Sequence, residues 1–586
     1  MISYRIDVGG AHAHLFHVTL TIARPAAEQY LSLPVWIPGS YLVREFARHL
    51  SGLQARQGRR ELPLQQIDKA TWLVRCTGRA VLKLSYQVYA FDTSVRAAYL
   101  DARRGFFNGT SLCLRVHGRE REPHHLTLGK LPSGWDIATA LPAAPGRRRF
   151  KAADYDELVD CPFELGRFWR GSFRAAGVPH EFAVTGALPS FDGKRLITDA
   201  RRICEAHIAF WHGRDASAKS LPFGHYLFML NAVEEGYGGL EHRNSTALIT
   251  ARRNLPRTGV SEQSDARVTL LGLISHEYFH AWNVKRLRPA EFSNVDYTRE
   301  NYTELLWFFE GFTSYYDDLL LLRAGLIDEA RYLTLLAKTL SAVLALPGRK
   351  TQSLAQASFD AWVKYYRSDE NTPNSTVSYY AKGSLVALAL DLSLRVGSHG
   401  KASLDQVMRG LWAASGGGPI AEADIMTALR DVAGRTLGER LAKALRSWVH
   451  GTDDPPLQAL LQAVGVSWQT QPPTLAQRWG LRVSESALTG VKVTSVLRGG
   501  AAERAGLAAG DELLAIDGWR WRKLEDASAH LRATAAAQVL VSRDQRVLSL
   551  DLLPTAPQAQ GSVQLKAAGN KPSAAALALR KAWAGG

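Results

Sequence analysis

Ser275 to Asn283 reads SHEYFHAWN, with His276 and His280 four positions apart and Glu277 directly after the first. On a helix, positions i and i+4 share one face about one turn apart. Both imidazoles can then converge on one zinc ion, at about 2.0–2.1 Å. Glu277 stands beside the first ligand, where its carboxylate can take a proton from an attacking water instead of binding the ion. Two histidines do not finish such a site. Glu310, in LLWFFEGFTSYY, is the candidate third ligand. A carboxylate inside a long apolar helical pattern needs a partner, because an unpaired buried charge is costly. One Zn²⁺ per chain on His276, His280 and Glu310 would leave a fourth position open for chemistry.

These residues need elements to hold them. VTLLGLISHEYFHAWNVKRL (268–287) and TELLWFFEGFTSYYDDLLLLRAG (303–325) belong to a region, about 262 to 451, dominated by helical spacing. Before it come a helical GKRLITDARRICEAHIAFWHG (193–213), a strand-like HYLFMLNAV (225–233) and a Gly-rich turn into GGLEHRNSTALIT (238–250). Residues 1–185 read as β-rich, with HAHLFHVTLTIA (12–23), AVLKLSYQVYAF (80–91) and TSLCLRVHG (110–118) as strands. VWIPGSYLVREFARHL (35–50) reads as a structural corner. Strands followed by a helical body indicate a multi-domain α+β chain with its chemistry in residues 186–455. Past GTDDPPLQ (451–458), residues 456–556 form a further compact module, and the Ala-, Gln- and Lys-rich 557–586 reads as a flexible tail. Within that tail SAAALALRKAW can form a short helix.

Composition narrows the classes. The net charge of +16 comes mostly from scattered Arg, and no recognition-helix or RNA-binding signature accompanies it, so no nucleic-acid partner is expected. No run of about 18 apolar residues exists, so no membrane span is expected. Cys76, Cys113, Cys161 and Cys204 are far apart and form no CxxC pair, which excludes a cysteine zinc site. Reduced thiols and the absence of a signal-peptide pattern point to the cytoplasm, or to the periplasm if the natural chain begins further upstream.

HEYFHAWN with FFEGFTSYY resembles the glutamate-zincin peptidases related to aminopeptidase N. VWIPGSYLVREFAR, GGLEHRNST and the late module together resemble the glycyl aminopeptidase family of zinc metallopeptidases, over residues 1–556. The resemblance implies a β-rich N-terminal domain, a thermolysin-like, mostly helical catalytic domain and a C-terminal PDZ domain. It also implies removal of N-terminal residues, preferably Gly or Ala, from peptides with a free amino terminus. GGLEH is similar to the strand of such enzymes whose Glu receives the substrate's α-amino group, which maps to Glu241, with Gly238 and Gly239 as substrate-binding backbone; Leu240 and His242 depart from that pattern. SYYAKGS is similar to the stretch that supplies an oxyanion tyrosine, which maps to Tyr380, with Tyr379 adjacent as the other possibility.

GGAAERAGLAAGDELLAIDG (499–518) fits a PDZ pattern, and RWGLRV supplies Gly480, Leu481 and Arg482 as the candidate loop for peptide C-termini. Two other functions share these residues. One is a PDZ-containing zinc endopeptidase, in which Glu241 is incidental. The other is a non-enzymatic peptide-binding scaffold, in which an intact Glu277 has no purpose.

Overall fold

In the strand Ile2–Gly10, Ile2, Tyr4, Ile6 and Val8 are buried while the residues between them are more exposed, the period of a half-buried strand. The computed structural model describes residues 1–260, 264–531, 536–553, 561–568 and 572–585. The chain divides into two compact units: residues 1–302 with 323–326 and 412–420, and residues 303–322, 327–411 and 421–586. No helix among the described residues is long and apolar enough to cross a membrane.

The first unit opens with a seven-stranded sheet in which Ile2–Gly10 pairs antiparallel with Leu15–Ile22 and parallel with His124–Leu128. The strands expected at 12–23 and 80–91 form as Leu15–Ile22 and Leu82–Tyr89. The strand expected at 110–118 does not form. Gly109–Leu112 is a helical turn and only Arg115–Val116 is extended. The reason is hydrogen bonding from side chains distant in sequence. The carbonyls of Leu112, Cys113 and Leu114 accept from the buried hydroxyls of Tyr86, Tyr155 and Tyr4 at 2.6, 2.7 and 2.7 Å. Side chains satisfy these main-chain acceptors, so no neighbouring strand is required.

After two four-stranded sheets come a five-stranded sheet and two helices: β1 (Trp169–Ala175), β2 (Val178–Thr185), α1 (Gly193–His212), β3 (Tyr226–Val233), β4 (Tyr237–Glu241), β5 (Ser245–Ala251) and α2 (Asp265–Phe279). The sheet order is β1-β2-β3-β5-β4, with β4 at an edge. β3 is buried over Tyr226–Ala232 and runs parallel to both neighbours, as expected for a strand covered on both faces.

The second unit carries α3 (Leu306–Phe309), α4 (Gly311–Arg323) and α5 (Ala381–Gly397) among further helices. It continues with β6 (Val466–Thr470), α6 (Leu475–Trp479), β7 (Leu481–Ser486), β8 (Gly490–Val496) and α7 (Ala501–Ala505). β9 (Glu512–Ile516), β10 (Ala537–Arg543), β11 (Arg546–Leu552), β12 (Val563–Ala567) and α8 (Ala574–Gly585) complete it. Strands β7 to β11 form one five-stranded antiparallel sheet in chain order over its own apolar core. Residues 532–535 and 554–556 of the span expected for this module lie outside the described residues.

The tail departs from the flexible segment expected at 557–586. Residues 557–560, 569–571 and 586 lie outside the described residues, but β12 pairs antiparallel with β6 and α8 docks through Trp583, which is 1% exposed. Its Nε1 donates to the Tyr315 hydroxyl at 2.9 Å, and Arg395 donates to the Ala582 carbonyl at 2.9 Å. One buried tryptophan, with the strand pairing, gives the tail an anchor that its average composition conceals.

Candidate active site

α2 begins at Ser264, whose side chain accepts from the Arg267 N–H, and its last turn carries His276 and Glu277. His280 follows as its C-cap. The His280 Nδ1 lies 2.7 Å from the Asn283 carbonyl, so it donates there and leaves Nε2 as the lone-pair nitrogen. The two Nε2 atoms are 3.1 Å apart, close to the spacing of about 3.3 Å for two tetrahedral ligands at 2.0–2.1 Å. One group of residues among those described has the donors and spacing to hold a metal ion: His276, His280 and Glu310, with ligand atoms within 4.8 Å of one another.

Two buried histidines brace α2 from behind. His207 Nε2 is 2.9 Å from Ser275 Oγ, and His180 Nε2 is 2.8 Å from the Tyr278 hydroxyl. Burial pushes His207 down to about 3 and His180 down to about 4. Both folded values lie below the unfolded one of about 6.5, so below that pH the unfolded chain binds more protons. Stability is therefore complete above about pH 6.5 and falls on acidification, by up to about 1.4 kcal/mol per pH unit for each histidine. Urea midpoints at pH 7, 6 and 5 should decline accordingly, and His207→Gln should make the decline shallower.

On the sheet side, β4 carries Gly238, Gly239 and Glu241. A Cβ on Gly239 would lie 2.0 Å from Glu277 Oε1, so the bare strand makes room for that carboxylate. Glu241, two residues on, points to the same face of the strand. It is 4% exposed and its Oε1 is buried with no hydrogen-bond partner. The Pro38–Gly39 turn abuts it, since a Cβ on Gly39 would lie 2.4 Å from Oε1. Trp36, Ile37, Tyr41 and Phe292 line the cavity beside Glu241, and Asp160 and Lys285 form part of its polar side. Burial alone would raise the Asp160 carboxyl, but Lys285 at 2.6 Å, then His242, hold it well below the usual carboxylate range. Asp160 also accepts from the Arg243 N–H at 2.9 Å and so ties down the turn that follows Glu241.

In the second unit Glu310 sits at the junction of α3 and α4, where the sequence pattern suggested one continuous helix. The next residue, Gly311, packs against Gly383 of α5 so closely that a Cβ on either would meet the other's Cα at under 3 Å. That approach brings Glu310 near Tyr380, the residue before α5. Burial, then Glu310, pushes the Tyr380 phenol well above 10, so its hydroxyl stays protonated and can donate. Its oxygen is 3.2 Å from the Tyr366 hydroxyl, whereas Tyr379 is fully buried.

In the PDZ-like sheet, Gly480 is a left-handed C-cap of α6 and Leu481 is buried in that core. Arg482 is exposed on β7, the edge strand. Gly39, Asp160, Lys285 and Arg96, which contacts β4, were not singled out by sequence. The Pro-Gly turn at 38–39 was the only local signal among them.

Paired imidazoles with an adjacent glutamate, beside an edge strand ending in a buried carboxylate, are the arrangement of a metallopeptidase. The chain matches the Peptidase M61 N-terminal domain over residues 3–167, the M61 glycyl aminopeptidase family over 269–386 and the PDZ domain over 467–550. It is similar along its whole length to the crystal structure of an aminopeptidase N family protein from Idiomarina loihiensis, with 37% identity, 100% coverage of both chains and a TM-score of 0.92. The chain belongs to the M61 glycyl aminopeptidase family, and it is a peptidase with a C-terminal PDZ domain. An M1 zinc metallopeptidase from Deinococcus radiodurans, solved with a Tyr-Ser-Ala substrate, is 15% identical; the match covers 78% of this chain and 94% of that one, at a TM-score of 0.46. No curated protein sequence matches the chain.

Proposed function

We propose that the protein is an aminopeptidase that releases N-terminal residues, glycine and alanine preferred, from peptides with a free amino terminus. His276, His280 and Glu310 would hold one zinc ion per chain. The donor set fits, with two imidazoles and a carboxylate within 4.8 Å and the His280 tautomer set by Asn283. When bound, zinc supplies an electrophile that acidifies water and polarises the scissile carbonyl. Glu277 takes the proton of the attacking water on its carboxylate and returns it to the leaving amine. Tyr380 donates its phenolic hydrogen to the oxygen on which negative charge develops. Gly238 and Gly239 bring backbone close to the substrate, and Glu241 receives the α-ammonium group.

The observation that carries this reading is the unpartnered, buried Glu241 Oε1 beside the strand position that faces Glu277. A buried carboxylate oxygen without a donor is costly, and a substrate ammonium would satisfy it. Glu241→Gln should lower kcat/KM for alanine p-nitroanilide about 10- to 100-fold, the worth of a hydrogen bond to a charged group. N-acetylated peptides should be cleaved no better and no worse. If the variant keeps its preference for free over blocked termini, the anchoring role is wrong and the endopeptidase reading gains.

The PDZ domain would capture peptide C-termini by strand addition at the β7 edge, starting at Gly480, the cap that precedes the strand, and at Leu481 and Arg482, its first two residues. Four free thiols support a reducing, cytoplasmic setting.

A further inference from the structure

The hairpin of β4 and β5 fixes which main-chain groups of β4 are open. His242 N–H bonds to the Ser245 carbonyl at 2.9 Å, so residues 242, 240 and 238 occupy the hydrogen-bonded pairs of this antiparallel ladder. Gly239 and Glu241 therefore turn their N–H and C=O groups toward the strand's outer edge. A substrate laid along that edge would pair with these groups, its amino terminus at Glu241 and its chain running past Gly239.

The Gly239 carbonyl is already taken. Arg96, from the loop after Leu82–Tyr89, donates to it through Nη2 at 3.0 Å, and its Nη1 lies 3.5 Å from where a Gly238 Cβ would be. The guanidinium is partly buried, its Nε has no hydrogen-bond partner, and no carboxylate pairs with it among the described residues. β4 thus has an unsatisfied carboxylate oxygen on Glu241 and, two residues back, a cation without a carboxylate partner at the Gly239 carbonyl. Two residues of strand rise about 6.8 Å along the backbone. An acidic and a cationic group at strand positions two residues apart complement a zwitterionic peptide of two or three residues.

We propose that Arg96 binds the C-terminal carboxylate of short substrates, so that the enzyme selects di- and tripeptides with a free carboxyl end. The guanidinium fork suits a carboxylate, and by occupying the Gly239 carbonyl it blocks further pairing by a longer chain. This inference rests on Glu241 as the amine anchor.

The test uses the zinc-loaded full chain and three substrates: Ala-Ala-Ala, its C-terminal amide, and alanine p-nitroanilide, which carries no carboxylate. Wild type should favour the free acid over the amide in kcat/KM by about tenfold or more, the worth of a charge-assisted pair. Arg96→Gln should bring that ratio near one, through a higher KM for the acid, while anilide turnover stays within about threefold of wild type. Arg96→Lys should recover part of the ratio. A wild-type ratio near one, or one unchanged in Arg96→Gln, overturns the proposal. So does an equal fall on all three substrates, which would mean that Arg96 only holds β4 in place. Cleavage of the anilide with no acid preference would reject the Arg96 role alone, whereas failure to cleave any substrate with a free amino terminus would reject the aminopeptidase reading with it.

Discussion

Glu277→Gln is expected to retain the wild-type zinc content by elemental analysis while lowering kcat on alanine p-nitroanilide by about 10² to 10⁴-fold, the usual contribution of a positioned general base. The amide is nearly isosteric, so it keeps the packing at Gly239, where no Cβ stands between strand and side chain. It cannot accept the proton of the attacking water. His276 and His280 hold their places independently of it: their Nε2 atoms are 3.1 Å apart, and the Asn283 carbonyl fixes the second ring. Retained zinc with lost turnover separates a base from a ligand. Loss of both would make Glu277 part of the metal's own support, and retained turnover would remove it from the chemistry.

Trp583→Ala should destabilise the second unit by about 3–5 kcal/mol, the range for truncating a buried aromatic residue to alanine. The ring is 1% exposed and lies 5.6 Å from Tyr332 in an edge contact. Its N–H reaches Tyr315, whose hydroxyl in turn donates to Asp391 at 2.7 Å. Asp391 and Asp405 are both bonded by Arg395, which also holds the Ala582 carbonyl. Truncation therefore opens a cavity and loosens a buried charge network centred on α5, which Tyr315 ties to α4, the helix that follows Glu310. A lower urea midpoint would register the effect. Trp583→Phe, which fills most of the volume and loses one hydrogen bond, should cost about 1 kcal/mol. Equal stability of Trp583→Ala and wild type would return the tail to the status of an appendage.

The parts legible in the sequence are those encoded over one or two turns of chain. The spacing of His276, Glu277 and His280 is fixed by helix geometry, and Glu310 stood out because a carboxylate amid apolar residues is expensive. Strands such as Leu15–Ile22 and Leu82–Tyr89 announced themselves by alternation. What stayed hidden depends on partners far along the chain. Arg96 meets Gly239 across 143 positions, and Asp160 meets Arg243 across 83. Neither has a local pattern that names its partner. The 110–118 segment misled for the same reason, because the hydroxyls that replace its strand neighbours come from Tyr4, Tyr86 and Tyr155. Trp583 misled differently: average composition dilutes a single buried aromatic residue that anchors the last helix.

The β6–β12 ribbon has a bearing on how this architecture was assembled. Thr470 and Val563 are paired across it, and the whole PDZ sheet lies in the chain between them. Paired residues of an antiparallel ribbon have Cα atoms about 4.5–5.5 Å apart. The module thus departs and returns through one doorway, a gap that a two-residue hairpin turn could span. A domain inserted at such a doorway can be gained, exchanged or shed without redrawing its host, whose last helix is threaded after the insertion and fastens onto the host itself.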